Sequence, residues 1–205
     1  MSLLAATVLG LGLGVKHAIE ADHVAAVCTF VARGGDVARA AKCGAIWGAG
    51  HGAVIVLGGS VLVASGATVP SSIALVLELA VAVTLVALGA FTIASRRRPA
   101  HEGTHSHRRP FAVGLLHGAS GTAALSLMLA TSIQARIDAL AFVAIFGLAS
   151  VVGMTGVAAL VAWPLRKVVQ RAPALGASLR GIAGAASIVT GLLLAWTTLQ
   201  SAPGV

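Results

Sequence analysis

Two histidines, a glutamate and an aspartate lie within seven residues of one another in a stretch that is otherwise apolar. The stretch reads Lys16-His17-Ala18-Ile19-Glu20-Ala21-Asp22-His23, between an apolar run that begins at Leu3 and another that ends at Val31. A charged group at the centre of a membrane helix costs about 2.5–3.5 kcal/mol, so such a cluster indicates a function. Imidazole and carboxylate ligands without thiolate suit a divalent transition metal such as Ni²⁺, Co²⁺ or Zn²⁺.

A single straight helix cannot direct all four side chains to one point. At about 100° per residue, Glu20 lies about 60° from both His17 and His23. Asp22 lies about 140° from His17 on the same helix. We therefore expect either that the helix unwinds locally or that Asp22 orients a ligand without binding the metal. In both cases, other helices must supply further ligands.

Two further histidines are candidates for that role. His51 lies in Trp47-Gly48-Ala49-Gly50-His51-Gly52, and His117 lies in Leu115-Leu116-His117-Gly118. The glycines beside them allow the backbone to approach an ion or a partner helix closely. The predicted metal ligands are His17, Asp22, His23, His51 and His117, and the residues predicted to support them are Glu20, Ser120 and Thr122.

A polar segment at 96–110 separates the two halves of the chain. It contains five arginines together with His101, His105 and His107. Histidine-rich tracts bind metal ions weakly, which suggests a cytoplasmic staging site. A solvated loop that only sets the topology explains the same composition, and the sequence leaves both interpretations open.

The composition is that of an integral membrane protein. The chain has 205 residues, of which 58% are hydrophobic and 10% charged, and its mean hydropathy is +0.96. A membrane helix needs about 20 apolar residues, which predicts an all-α, polytopic fold. The six predicted spans are 2–32, 43–66, 71–95, 111–131, 138–163 and 178–199, with the first long enough to be tilted or broken near its polar centre and with a break between Pro164 and Pro173.

The basic residues predict the orientation in the membrane. The formal charge of +8 does not indicate a nucleic-acid partner, because these residues fall in short segments between apolar runs. The first, third and fifth of these segments are rich in Arg and Lys, whereas the second has none and the fourth has only Arg136. By the positive-inside rule, both termini are predicted to be extracytoplasmic, in a multi-pass protein of the cell membrane.

The chain contains an internal repeat. Gly14-Val15-Lys16-His17-Ala18 resembles Gly114-Leu115-Leu116-His117-Gly118, and the segments at 50–54 and 153–157 also resemble each other at a similar offset. We predict one transmembrane domain, 1–205, built from two three-helix repeats of inverted topology, 1–95 and 111–205. Transporters built in this way bind their substrate near the midplane, between the repeats.

These motifs resemble a known family. His17-x4-Asp22-His23 matches the HX4DH signature of the nickel/cobalt transporter family, and KHAIEADHVAAV resembles its RHAxDADHIAAI pattern. The segment LLHGASGTAAL, from Leu115 to Leu125, is similar to the short, urease-accessory (UreH-like) branch of that superfamily. Lys16 and Glu20 replace an Arg and an Asp of the usual pattern. The resemblance implies secondary uptake of Ni²⁺ or Co²⁺. Because some relatives in the superfamily export these metals, the resemblance does not fix the direction of transport.

We therefore expect a permease and not an enzyme. The metal ion would be the transported substrate, and membrane lipid would surround the protein. We expect no permanent cofactor and no bound nucleic acid. The chain has no P-loop, so it is not expected to hydrolyse ATP itself. The sequence does not determine whether the protein forms a homo-oligomer.

Two functions of other classes compete with this expectation. Gly118-Ala119-Ser120-Gly121 has the form of a rhomboid-like serine protease motif, but no histidine follows His117 to act as the base. A membrane metal sensor or assembly factor would bind the ion without moving it.

Overall fold

The computed structural model of the chain describes residues 2–32, 36–95, 108–120, 129–172 and 175–201, and within these ranges it is all-helical, as predicted. Residues 129–132 form a short helical segment. The helices with described bounds are α1 (Leu3–Ala18), α2 (Ala21–Val31), α3 (Val37–Ser65), α4 (Ser71–Ala94), α5 (Arg108–Gly118), α6 (Arg136–Arg171) and α7 (Leu175–Gln200).

The first predicted span is broken at its polar centre. Helices α1 and α2 meet at an angle of 54°. Ile19 N donates to Lys16 O, Glu20 N donates to His17 O, and Glu20 then takes an extended conformation that starts α2. Local unwinding, one of the two expected alternatives, is therefore present between the two motif histidines.

The helices support a multi-pass membrane protein. Among the described residues, α3, α4, α6 and α7 are long and apolar enough to cross a membrane, and the bent pair α1–α2 raises the number of spans to five. Six spans were predicted. The predicted span 111–131 is only partly described, and its first part lies in the short helix α5.

Two predicted boundaries are wrong. Helix α3 begins at Val37, six residues before the predicted span, because the side chain of Asp36 caps it by accepting from Arg39 N at 2.7 Å. Helix α6 continues through Pro164 to Arg171, although a break was expected at the proline. A proline removes only one backbone donor, and long membrane helices tolerate it where neighbouring groups satisfy the freed carbonyl.

Helix α6 lies beside α1 and runs in the same direction. Gly14 of α1 packs against Phe146, and Ala18, one turn further on, packs against Gly153. The hydroxyl of Ser150 also donates to Gly14 O across this interface, at 3.3 Å. The polar break of the first span is therefore held against the middle of α6.

Helix α3 lies antiparallel to α6 and parallel to α5. Gly44 of α3 packs against Ala158, whereas Gly52 packs close to Gly147, so the two sequences run in opposite directions. On its other side, α3 packs along α5, as the contacts between Gly114 and Trp47 and between Gly118 and His51 show. It follows that α1 and α5 run in opposite directions.

Helices α4 and α7 form an antiparallel pair. The Ser187 hydroxyl donates to Leu85 O at 2.7 Å, and the Thr198 hydroxyl donates to the Glu78 carboxylate at 3.0 Å. Helix α2 contacts α4, α6 and α7, so it lies between this pair and the rest of the molecule.

Most of the described basic residues gather at one end, called here the basic end, whereas Lys16 lies in the last turn of α1, next to His17 in the chain. The helix directions bring together the start of α3, the start of α5, the end of α6 and the start of α7. Arg136, at the start of α6, lies at the opposite end. The residues of the basic end are Arg39, Lys42, Arg108, Arg109, Arg166, Lys167, Arg171 and Arg180.

Candidate metal centre

Four histidines from four helices meet in the centre of the molecule. His17 lies in the last turn of α1, His23 lies in the first turn of α2, His51 is the central residue of α3, and His117 lies at the end of α5. Their exposed fractions are 3%, 1%, 0% and 2%. The ring centroids are 4.4 Å apart for His17 and His23, 5.0 Å for His51 and each of these two, and 5.9 Å for His23 and His117. We call these residues the four-histidine cluster.

Three of these imidazoles are close enough to share one ion. One ligand nitrogen from each of His17, His23 and His51 lies within 4.8 Å of the other two. His17 Nε2 and His51 Nε2 are 3.0 Å apart, and without an ion this contact is a hydrogen bond. Two nitrogens bound at about 2.1 Å to one ion, at a right angle to each other, are separated by about the same distance. The spacing therefore fits both the empty and the loaded arrangement.

In three of the four histidines, the ring nitrogen Nδ1 is hydrogen-bonded to an oxygen atom. His17 Nδ1 donates to Glu20 Oε2 and His23 Nδ1 donates to Asp22 Oδ1, both at 2.9 Å, and His117 Nδ1 donates to Val113 O at 3.1 Å. These bonds assign the tautomer in which Nε2 of each ring carries a lone pair. A carboxylate or carbonyl behind an imidazole is the usual support of a metal-binding histidine.

Several polar atoms of the cluster are buried without a partner. His23 Nε2, His51 Nδ1 and His117 Nε2 have no hydrogen-bond partner in the described part of the chain. An unsatisfied buried polar group costs about 1–3 kcal/mol, so such groups call for an explanation. Unpaired imidazole nitrogens on neighbouring buried rings are suited to binding a cation.

The two acidic residues lie on one side of the cluster. The side chains of Glu20 and Asp22 are 24% and 26% exposed, so they are the most exposed part of the site. Asp22, a predicted ligand, contacts His23 Nδ1, which is the supporting role that Glu20 plays for His17. A second group of ligand atoms, from Glu20, Asp22 and His23, also lies within 4.8 Å of one another, so Asp22 has a geometry for either role.

Two glycines bring His117 to the cluster. A Cβ atom at Gly114 would overlap Trp47 O, and one at Gly118 would overlap the backbone of His51. Without these side chains, α5 approaches α3 closely enough for their histidines to face the same centre. The sequence predicted this use of the glycines beside His117.

The remaining predicted site residues fall in two groups. Ser120 is buried, and its hydroxyl donates to His117 O at 3.3 Å, so it supports the end of α5 through the backbone of His117. Thr122, His101, His105 and His107 lie outside the described residues.

Two aromatic residues of the site were not found from the sequence. The ring of Trp47 lies 5.5 Å from His23 and 5.7 Å from His117, and that of Phe146 lies 5.4 Å from His17. The signal for Trp47 was available, since it precedes His51 by four residues and so shares its helix face. Phe146 is seven residues from the nearest motif, and nothing in the sequence separates it from other apolar residues of α6.

A comparison with known proteins supports the family resemblance. The chain is 28% identical over 181 residues to the urease accessory protein UreH of Bacillus sp. (strain TB-90), and the match covers 80% of this chain and 79% of UreH. No family model matches the chain. No solved structure matches it either. The resemblance to the urease-accessory branch that was found in the motifs is therefore confirmed by the similarity of the chain to UreH.

Proposed function

We propose that the protein is a secondary transporter that carries a divalent transition metal ion, Ni²⁺ or Co²⁺, through the four-histidine cluster. The observation that carries this proposal is the convergence of buried imidazoles from four helices, three of which have Nδ1 held by an oxygen atom. The relationship to UreH supports a role that involves nickel or cobalt. The ion is the substrate, and the protein keeps no permanent cofactor.

The charges around the cluster support a divalent cation as substrate. Imidazole ligands are neutral when they bind a metal, so they do not compensate its charge. Glu20 and Asp22 supply two carboxylates directly behind His17 and His23. Two negative charges beside an ion of charge +2 lower the cost of removing it from water.

The depth of the cluster supports transport rather than sensing at a surface. His51 has fourteen residues of α3 on each side, which corresponds to about 21 Å of helix in each direction. A bound ion would lie near the midplane of the membrane, where secondary transporters hold their substrates.

The two halves of the chain are proposed to be inverted repeats. Helices α1 and α5 run in opposite directions, and α5 packs on α3 as α1 packs on α6. An inverted repeat requires both features. Helices α1 and α5 also end in breaks a hundred residues apart, with matching hydrogen bonds from Ile19 N and Ala119 N. In this arrangement the basic end is cytoplasmic and the ion moves inward, with export through the same site as the alternative direction.

Radiolabelled Ni²⁺ and Co²⁺ flux into proteoliposomes of known orientation tests the function. We expect metal uptake by the wild-type protein and loss of flux in His17→Ala and His51→Ala at normal expression. The matched control is Thr197→Ala, since the Thr197 hydroxyl bonds only to carbonyls of its own helix. If both histidine variants transport like the wild type, the cluster is not the transport site.

The same preparation separates the competing functions. A protein that binds Ni²⁺ in equilibrium dialysis but never moves it would be a sensor or assembly factor. A serine protease would lose peptidase activity in Ser120→Ala, but the Ser120 hydroxyl bonds to a carbonyl and not to an imidazole in the described residues. That geometry favours the transporter.

A further inference from the structure

Two apolar layers enclose the four-histidine cluster. On the side of the basic end lies a layer of α2, α3 and α6 that includes Val27, Val31, Trp47 and Ala158. On the other side lies a layer formed by Ala6, Ile55, Ala130, Phe142, Val143 and Phe146. A divalent cation does not cross packed apolar side chains, because it would lose its hydration without new ligands. An ion that moves along the direction of the helices therefore reaches or leaves the cluster only when one of the layers parts.

Trp47 closes the cluster on the side of the basic end. It lies one helical turn from His51, is completely buried, and contacts three of the four imidazole rings. Beyond it, a narrow crevice runs between α2 and α3, with no room for a water molecule. Its lining consists of Val27, Phe30, Val31, Ala40, Cys43, Gly44, Trp47 and Ala158. The indole is thus the last large side chain between the cluster and this crevice.

Phe146 closes the cluster on the opposite side. Its ring lies 5.4 Å from that of His17 and stacks on that of Phe142 at 6.0 Å. Beyond this layer, an open cavity of about 340 Å³ lies between the end of α3 and the start of α6. Polar side chains, among them Ser65, Thr131 and Gln134, contribute to its lining. The aromatic pair therefore separates the cluster from a water-accessible space.

We propose that Trp47 and Phe146 are the two gates of the metal pathway, Trp47 toward the basic end and Phe146 toward the opposite end. The conformation described here is the closed state, in which both rings pack against the cluster. Movement of either ring exposes the histidines to one side only, which is the requirement of alternating access. This inference rests on the proposed function, since it assigns the gates of the same site.

Release of bound ⁶³Ni²⁺ to an impermeant chelator tests the gates one at a time. The protein is reconstituted in oriented vesicles and loaded, and the chelator is placed on one side. Orientation is read from impermeant-maleimide labelling of Ala67→Cys, compared with the parent protein. We expect Trp47→Ala to speed release toward the basic end by at least about tenfold, with no change on the other side, and Phe146→Ala to do the reverse, since each removes part of one barrier.

The controls are aromatic residues on the outer surface. Trp196 and Phe91 are 62% and 49% exposed, so Trp196→Ala and Phe91→Ala should release Ni²⁺ like the wild type. The milder variants Trp47→Phe and Phe146→Leu should give intermediate rates and guard against misfolding of the alanine variants.

The outcomes separate the two proposals. One outcome is that the wild-type protein retains Ni²⁺ while the gate variants release the ion at the wild-type rate, or faster by the same factor on both sides. In that case the assignment of the gates is wrong, but the assignment of the metal site is supported. If the wild-type protein retains neither ⁶³Ni²⁺ nor labelled Co²⁺, the metal site is wrong and the gates fall with it.

Discussion

The breaks at Ile19-Glu20 and at Ala119-Ser120 have matching backbone hydrogen bonds but differ in the chemistry of their side chains. In each, the two residues after the helix donate to carbonyls one turn back: Ile19 N to Lys16 O and Glu20 N to His17 O, and the matching pair at 119 and 120. Each break follows directly on a buried histidine. The first break continues into Asp22 and His23, whereas Thr122 and Ala123 stand at the corresponding positions of the second.

The difference shows how two helix ends with matching backbone hydrogen bonds can carry an asymmetric site. Glu20 holds His17 in the first break, but a backbone carbonyl, Val113 O, holds His117 in the second. Both carboxylates near the cluster therefore belong to the first half of the chain. Both halves supply histidines, but the charge that compensates a cation comes from only one of them.

The largest expected effect distinguishes the histidines of the two breaks. His17→Ala should weaken Ni²⁺ binding by more than about 100-fold, beyond the range typical of supporting groups, because His17 belongs to the closest trio of ligand nitrogens. His117→Ala should weaken it less, since of the other three imidazoles of the cluster only that of His23 lies within 6 Å of the His117 ring. Isothermal titration calorimetry of the purified variants measures both. Equal losses would mean that the two halves contribute equally.

The carboxylates should give the next largest effect. Glu20→Gln and Asp22→Asn are expected to weaken Ni²⁺ binding by about 10–100-fold, because each removes a charge and weakens the support of an imidazole. Ser120→Ala, at the position that matches Glu20, should change the affinity little. The same calorimetric titration compares the three variants, and a Ser120→Ala protein as weak as Glu20→Gln would contradict the asymmetry.

The glycines should affect stability in both halves alike. Gly114→Ala and Gly14→Ala are each expected to destabilise the fold by about 1–3 kcal/mol, because the new methyl group would overlap the facing helix. Gly12→Ala is the control, since no atom lies within 4 Å of its added Cβ. Thermal unfolding in detergent, followed by circular dichroism, measures the difference. Unchanged stability in Gly114→Ala would mean that α5 is not tightly packed on α3.

The smallest effect is expected from the segment between the halves. Replacing His101, His105 and His107 together by alanine should leave Ni²⁺ flux at saturating metal unchanged, because a staging site acts before the transport site. At low metal concentration the rate should fall by about two- to threefold, as weak sites do little more than raise the local concentration. Vesicle flux measured over a range of Ni²⁺ concentrations tests this, and a loss at saturation would place these residues in the pathway itself.

The sequence predicted only part of the fold. Apolar length identified the membrane helices, and the polar motif marked the break near the centre of the first span. The end of α6 was misjudged, because Pro164 resembles a stop signal in isolation. In the folded protein the helix passes through it, since the loss of a single backbone donor does not outweigh the remaining helical hydrogen bonds.

The candidate site followed from residue type, but its geometry did not. Buried imidazoles and carboxylates are costly in a membrane, so their mere presence among apolar residues singled out His17, His23, His51 and His117. Which nitrogen faces the centre depends on hydrogen bonds, and these are set by side-chain positions that no spacing rule specifies. Asp22 on His23 Nδ1 is an example.

What the sequence by itself determined is therefore the chemistry: a membrane protein with four intramembrane histidines, two acids beside them, and basic residues gathered at one end. Only the tertiary structure decided that the histidines meet, that oxygens hold three of them from behind, and that Trp47 and Phe146 close the space around them. The reason is physical. The energetic cost of a polar group in a membrane and the periodicity of apolar residues are local properties of a chain. Whether side chains from different helices converge and become enclosed depends on how close the helices come to one another. The small residues at the helix contacts allow this close approach.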